Sequence, residues 1–184
     1  MKFIKTEIPG VFIIEPTVFN DSRGYFFESY SKKDFSGYCL SDNFVQDNQS
    51  KSSYGTIRGL HFQKGVYAQA KLVRVIRGKV LDVAVDLRKN SPTFGKHIAV
   101  ELDGEKNNML FIPRDFAHGF AVLSETALFS YKCDNYYNKE SEGGILYNDP
   151  DLNINWGIPK DKIITSDKDA LWPTFNKWKS EKTK

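Results

Sequence analysis

The stretch Lys71-Leu72-Val73-Arg74-Val75-Ile76-Arg77-Gly78-Lys79-Val80-Leu81-Asp82-Val83-Ala84-Val85-Asp86-Leu87 decides the fold class. Two Val-rich runs, Lys71 to Ile76 and Lys79 to Leu87, flank the turn signal Arg77-Gly78. In the second run Val83, Val85 and Leu87 share one parity, and Asp82, Ala84 and Asp86 the other. A period of two puts unlike side chains on opposite faces, as a strand does. Working outward, His97 to Leu102 repeats the pattern, with Ile98, Val100 and Leu102 on one side. Val11 to Ile14 is a short apolar run before Pro16, and Met109 to Ile112 a strand ending at Pro113. Phe116 to Leu123 and Leu128 to Cys133 read as two more, with Ser124-Glu125 between them. Only Lys32 to Tyr38 reads as a helix, and a short one. Short strands separated by frequent turns predict an all-β sandwich or small barrel.

The 184 residues contain no repeat, low-complexity segment or flexible linker, so a single domain over 1–184 is expected, with a frayed tail from Lys177 to Lys184. Lys plus Arg total 26 against 23 Asp plus Glu, a net +3 too balanced for a dedicated nucleic-acid binder. No apolar run approaches the roughly 18 residues of a membrane span. The start, Met1 to Glu7, carries Lys2, Lys5 and Glu7 in place of the apolar block of a signal peptide. Two cysteines, Cys39 and Cys133, make neither a disulfide scaffold nor a CxxC zinc pair. The expectation is a reduced, cytoplasmic protein with buried or idle thiols.

Three histidines can be weighed one by one. His97 shares its parity with Ala99 and Glu101, opposite an apolar set, and is expected to face solvent. His118 shares its parity with Phe116, Phe120 and Val122, so it is either a satisfied core histidine or one that lines a pocket. His61 lies in Ile57-Arg58-Gly59-Leu60-His61-Phe62-Gln63. Strict alternation places Arg58 and His61 on opposite faces; a shared site requires Gly59 to mark a bulge or bend. No metal is expected. A jelly-roll metal site presents ligands two residues apart on one strand, but position 63 is Gln63, and Gln63 to Lys71 holds no Asp or Glu. His61 and His118 alone fall one short of a catalytic zinc set. No phosphate-cradling or serine-nucleophile motif occurs. Arg23, Arg58, Lys71 and Arg74 are cations suited to an anionic group. Residue by residue, the sequence yields a β domain with a polar pocket and no named reaction.

A longer series of motifs goes further. In order they are Asp21-Ser22-Arg23-Gly24-Tyr25-Phe26-Phe27-Glu28, Phe44-Val45-Gln46-Asp47-Asn48, Arg58-Gly59-Leu60-His61-Phe62-Gln63 and Lys71-Leu72-Val73-Arg74-Val75. Asp82-Val83-Ala84-Val85-Asp86, Ser91-Pro92-Thr93-Phe94-Gly95, Ile112-Pro113 and Phe116-Ala117-His118-Gly119-Phe120 follow. Tyr131-Lys132-Cys133, Tyr136-Tyr137, Glu142-Gly143-Gly144 and Ser166-Asp167-Lys168-Asp169 close it. At this spacing, from about Ile4 to Pro173, the chain resembles the dTDP-4-dehydrorhamnose 3,5-epimerases. The resemblance implies a cupin-type jelly roll with a few short helices, using no metal and no nicotinamide cofactor. It also implies a homodimer with exchanged N-terminal strands, and no nucleic-acid or membrane partner.

The implied reaction is epimerisation of dTDP-4-dehydro-6-deoxy-D-glucose at C3 and C5, which flank the C4 ketone. By motif match His61 is the base, Asp169 holds and charges its imidazole, Tyr131 is the acid on the opposite face, and Lys71 stabilises the enolate oxygen. Arg58 and His118 line the same pocket, with Asp82 behind His118. Arg23, Glu28, Gln46 and Asn48 match positions that hold the dTDP portion, partly across the dimer interface; Tyr137 matches the ring that stacks on thymine, and Glu142 and Lys168 match further contacts. Three departures stand out: Gln49 where many members have His, Ala70 for a common Gly, and Leu171-Trp172 for a small Ala pair, adding bulk beside Asp169. Three other readings stay open: a C3-only epimerase of a related nucleotide-deoxysugar pathway, a non-catalytic sugar-nucleotide-binding cupin and a metal-dependent cupin.

Overall fold

The computed structural model describes residues 1–38, 40 and 43–181, which places Cys39 outside the described residues. Two antiparallel sheets pack face to face. The larger, in spatial order, is β1 (Lys2–Lys5), β2 (Phe12–Glu15), β10 (Met109–Ile112), β7 (Lys71–Arg77), β12 (Thr126–Cys133) and β5 (Gln46–Ser53). The smaller is β13 (Glu142–Gly144), β6 (Ile57–Gln63), β11 (Phe116–Val122), β8 (Lys79–Asp86) and β9 (His97–Asp103). A hairpin of β3 (Phe19–Asp21) and β4 (Gly24–Phe26) stands apart. The architecture is the expected all-β jelly roll, with α1 (Lys32–Ser36), α2 (Asp167–Ala170) and α3 (Phe175–Glu181) as its α-helices among the described residues.

The decisive stretch forms β7 and β8, but the two do not pair. Arg77-Gly78, with Gly78 at φ +87°, is a corner that carries the chain from one sheet to the other. Ser124-Glu125 does the same between β11 and β12. This switching encloses the inner core, where Val73, Val75, Leu110 and Phe129 of the larger sheet meet Val80, Ala84, Phe116 and Phe120 of the smaller. The outer face of the smaller sheet, with Val83, Val85 and Leu87, is covered by Ile145, Trp156, Phe175 and Trp178. β8 is therefore apolar or buried on both faces, because it is the middle of three layers. On the other side Phe35 of α1 is fully buried against Leu72, Met109 and Phe111.

Several elements differ from the sequence reading. α3 continues to Glu181 and buries Trp178, so the tail does not fray at Lys177: an aromatic anchor outweighs the surrounding charges. His97 is partly covered, and burial lowers its imidazole pKa, whereas the alternation had placed it in solvent. β5 was not foreseen at all. Among the described residues no helix is long and apolar enough to cross a membrane.

Candidate active site

A cavity of about 700 Å³ opens between the sheets. Its floor is built by β6 and β11 on one side and by β5, β7 and β12 on the other. β5 explains itself here. Its sequence, Gln-Asp-Asn-Gln-Ser-Lys-Ser-Ser, alternates in burial, but the inward positions Asn48, Ser50 and Ser52 are polar because they face the cavity rather than a core.

The shared placement of Arg58 and His61 comes from a bulge. β11 pairs His118 with His61 and Phe120 with Arg58, so two steps on β11 oppose three on β6. The extra residue restores Arg58 and His61 to one face, and both line the cavity. Gly59 makes this possible: its φ is +129°, and a Cβ there would lie 2.6 Å from Gly119 Cα. Arg58 is held by its Nε–H donating to Ser52 Oγ at 3.0 Å.

His61 Nε2 meets Asp169 Oδ1 at 2.7 Å, and the Gly59 amide donates to the other oxygen, Oδ2, at 3.2 Å. Asp169 is delivered by α2, whose N-cap Ser166 accepts from the Asp169 amide at 3.1 Å. Burial alone would raise the Asp169 carboxyl, but His61, the Gly59 amide and Trp172 outweigh it and hold it below the ordinary carboxylate value. With Nε2 engaged, Nδ1 is the imidazole nitrogen left to take a proton.

Lys71 and Tyr131 come from β7 and β12, in the sheet opposite His61. The Lys71 ammonium lies 5.7 Å from the Tyr131 ring centroid. Burial lowers the Lys71 pKa, with Cys133, Asp82 and Glu142 pulling it back up. Burial raises the Tyr131 phenol, which keeps its proton in place. Behind them His118 Nε2 sits 2.9 Å from Asp82 Oδ2, the pairing the sequence reading had named, and burial holds this imidazole below its usual pKa. His118 is thus both a satisfied histidine and a wall of the cavity.

A second cavity of about 280 Å³ shares Asn48, His61, Lys71 and Tyr131 with the first and adds Gln46, Tyr137 and Glu142. These are linked: the Tyr137 amide donates to Gln46 Oε1 at 3.0 Å, Tyr137 Oη donates to Glu142 Oε2 at 3.0 Å, and Lys168 Nζ donates to Glu142 Oε1 at 2.6 Å. The Tyr137 ring is 55% exposed. Arg23 and Glu28 are not brought to either cavity. Arg23 lies at the tip of the β3–β4 hairpin, ion-paired with Asp21 at 2.6 Å, and Glu28 is exposed. Ser52 and Ser166 hold site residues in place without having been assigned such a part from sequence; only the cap pattern Ser166-x-x-Asp169 signalled one of them. Among the described residues no three His, Cys, Asp or Glu side chains gather in a metal-binding group.

The sequence profile of the dTDP-4-dehydrorhamnose 3,5-epimerases matches residues 5–177. The chain is 54% identical over 176 residues to the dTDP-4-dehydrorhamnose 3,5-epimerase of Shigella flexneri, covering 95% of this chain and 96% of that one. Its fold superposes on the crystal structure of the enzyme of that name from Elizabethkingia anophelis with a TM-score of 0.94 at 58% identity, over 96% of this chain and 97% of that one. The dTDP-6-deoxy-D-glucose-3,5-epimerase of Legionella pneumophila, crystallised with dTDP-4-keto-L-rhamnose, superposes at 0.93 with 46% identity, over 98% and 95%.

Proposed function

This chain belongs to the dTDP-4-dehydrorhamnose 3,5-epimerase family, and we propose that it epimerises dTDP-4-dehydro-6-deoxy-D-glucose at C3 and C5 through His61, Asp169, Tyr131 and Lys71. The observation that carries the reading is the opposition of His61 and Tyr131, offered to one cavity from the two facing sheets. Inversion at carbon needs a base on one face and an acid on the other, and neighbouring side chains on one strand cannot supply both.

The C4 ketone acidifies the protons on C3 and C5. His61 Nδ1 takes the proton, and the imidazolium so formed is stabilised by Asp169. The electron pair moves onto the C4 oxygen, where Lys71 balances the developing charge. The Tyr131 phenol protonates the same carbon from the other side. Bulk water then returns a proton to Tyr131 and removes one from His61, which readies the pair for the second centre. Arg58 and His118 line the pocket of the reacting sugar, and Gln46, Asn48, Tyr137, Glu142 and Lys168 receive the dTDP portion, with the exposed Tyr137 ring offered to the base.

Arg23 and Glu28 act from a second copy of the chain. The support is that neither residue lines the two cavities that hold His61, together with the exposure of Phe19, Tyr25 and Phe26 at 60–66% on the hairpin that carries Arg23. The active form is then a homodimer with exchanged N-terminal strands. The buried free thiol of Cys133 suits a reducing cytoplasm.

The test is proton NMR of dTDP-4-dehydro-6-deoxy-D-glucose with the protein in deuterium oxide. Deuterium at both C3 and C5 is the expected result. Deuterium at C3 alone makes the protein a mono-epimerase, and no exchange with dTDP still bound removes the catalytic reading.

A further inference from the structure

Trp172 lies beside the dyad and is not among the residues that line the two site cavities. Its indole lies flat on Gly144, whose missing side chain leaves the room: a Cβ there would run into Cδ2, Cε2 and Nε1 of the indole. Gly144 is the register partner of His61 across β13 and β6, so the ring is seated directly beside the imidazole. The two rings meet edge to face, 6.4 Å between centroids at 69°. Lys168 Nζ lies over the ring, 5.6 Å from the indole centroid. The indole Nε1 is buried and makes no hydrogen bond in the resting geometry. A buried donor without an acceptor is costly, and the acceptor within its reach is the Asp169 carboxylate.

We propose that Trp172 is a positioning residue for the His61–Asp169 pair, clamping the imidazole edge against Gly144 and aiming its N–H at the carboxylate that orients the base. The ring packs on β13, the strand paired beside His61, and follows directly on α2, which carries Asp169, so it fixes the spacing between the two. The N–H, unpartnered at rest, becomes a third donor to Asp169 beside His61 and the Gly59 amide when it turns to the carboxylate. Each added donor makes the carboxylate a weaker base. That leaves Asp169 able to orient the imidazole without holding too tightly the proton it gains. Burial raises the Asp169 carboxyl, and Trp172 is among the groups that bring it back down.

The inference rests on His61 being the base. Its test compares Trp172→Phe, Trp172→Ala and His61→Asn with the parent, by kcat and KM across pH and by dTDP affinity. Trp172→Phe keeps the ring and loses only the N–H, so the acid limb of the kcat/KM profile moves to higher pH while dTDP affinity holds. Trp172→Ala shows the same movement and a fall in kcat of about tenfold, with KM within about twofold, as loss of alignment in a catalytic pair gives. An acid limb that stays in place in Trp172→Phe overturns the proposal, whatever happens to melting temperature. So does a Trp172→Ala defect confined to KM, which would make the ring a ligand contact. If His61→Asn keeps its activity, the base assignment fails and Trp172 falls with it; if His61→Asn is inert and the Trp172 variants match the parent, only the Trp172 proposal fails.

Discussion

His61 and His118 stand opposite each other across β6 and β11, and each points Nε2 at a carboxylate. The chemistry of the two pairs is the same, but the burial is not. The His61 side chain is 33% exposed against a 6% exposed Asp169, whereas His118 and Asp82 are 7% and 0% exposed. A base has to gain and lose a proton each cycle, so it needs a route to water and room for charge. His118 touches the cavity but has far less of both, and burial, Lys71 and His61 all disfavour its charged form while Asp82 pulls the other way. In the proposed mechanism the first pair cycles and the second holds still. The difference lies in which layer of the sandwich each carboxylate belongs to: Asp169 arrives on a short helix at the cavity edge, Asp82 on a strand of the middle layer.

The sharpest way to break this comparison is to remove each histidine in turn. His61→Asn should lower kcat by about a thousandfold or more, within the range of a lost general base, and leave dTDP affinity unchanged. His118→Asn should cost at least tenfold less in kcat. Equal losses measured by single-turnover assays would mean that the buried pair also cycles. Tyr131→Phe ranks next and gives a different signature. Abstraction by His61 continues, but the enolate is reprotonated from the face it left, so deuterium enters from solvent without inversion. Inversion at the parental rate in this variant would take the acid role away from Tyr131.

The carboxylates sharpen the contrast through stability. Asp82→Ala leaves a buried imidazole without its partner, a loss of about 1–3 kcal/mol. Asp169→Ala, at the cavity edge where water can replace the carboxylate, should cost less stability and more kcat. Urea unfolding of both variants beside their turnover rates checks the crossing; the same order in both measurements would abolish the distinction. Tyr137→Ala touches neither pair. It should weaken dTDP binding by about 1–3 kcal/mol, the range of a base stacked on an aromatic ring, with kcat on saturating substrate near parental, as titration calorimetry and rates would show.

How much of this was legible in the sequence depends on what each residue faces. β8 announced itself because both of its faces are covered by apolar layers, and alternation between Val and Asp survived that. β5 was silent, because a strand that lines a polar cavity carries Asn48, Ser50 and Ser52 where a core strand carries Val. The turn at Arg77-Gly78 was plain, but nothing local says whether a turn closes a hairpin or crosses between sheets; only the pairing of β7 with β10 and β12 decides it. For the site, the bulge at Gly59 was readable as a condition and not as a fact, since it depends on Gly119 approaching from β11. Asp169 lies 108 residues from His61, a separation that no periodicity spans. The family resemblance supplied that pairing, and it marked Trp172 only as a departure that adds bulk beside Asp169.

The smallest expected effect is on the pH dependence of stability, and its sign follows from the buried pair. An unfolded histidine titrates near 6.5, while His118 in the folded protein titrates lower. Between those two values the unfolded chain binds a proton that the folded chain does not, so stability rises with pH there and falls as the solution is acidified below about 6.5. His97 acts in the same direction, through its own partial burial. The carboxylates enter later: Asp86, held at about 2 by Arg88, Ser91 and Thr93 against the cost of burial, and the lowered Asp169 withdraw their contribution only below about pH 4. Urea midpoints at pH 7, 6 and 5 therefore isolate the histidines. The parent should lose stability across this range, by less than about 1.4 kcal/mol per pH unit for each proton. His118→Asn, although less stable throughout, should show a flatter dependence. A slope unchanged by that substitution would assign the effect to His97 and leave the buried pair without a part in it.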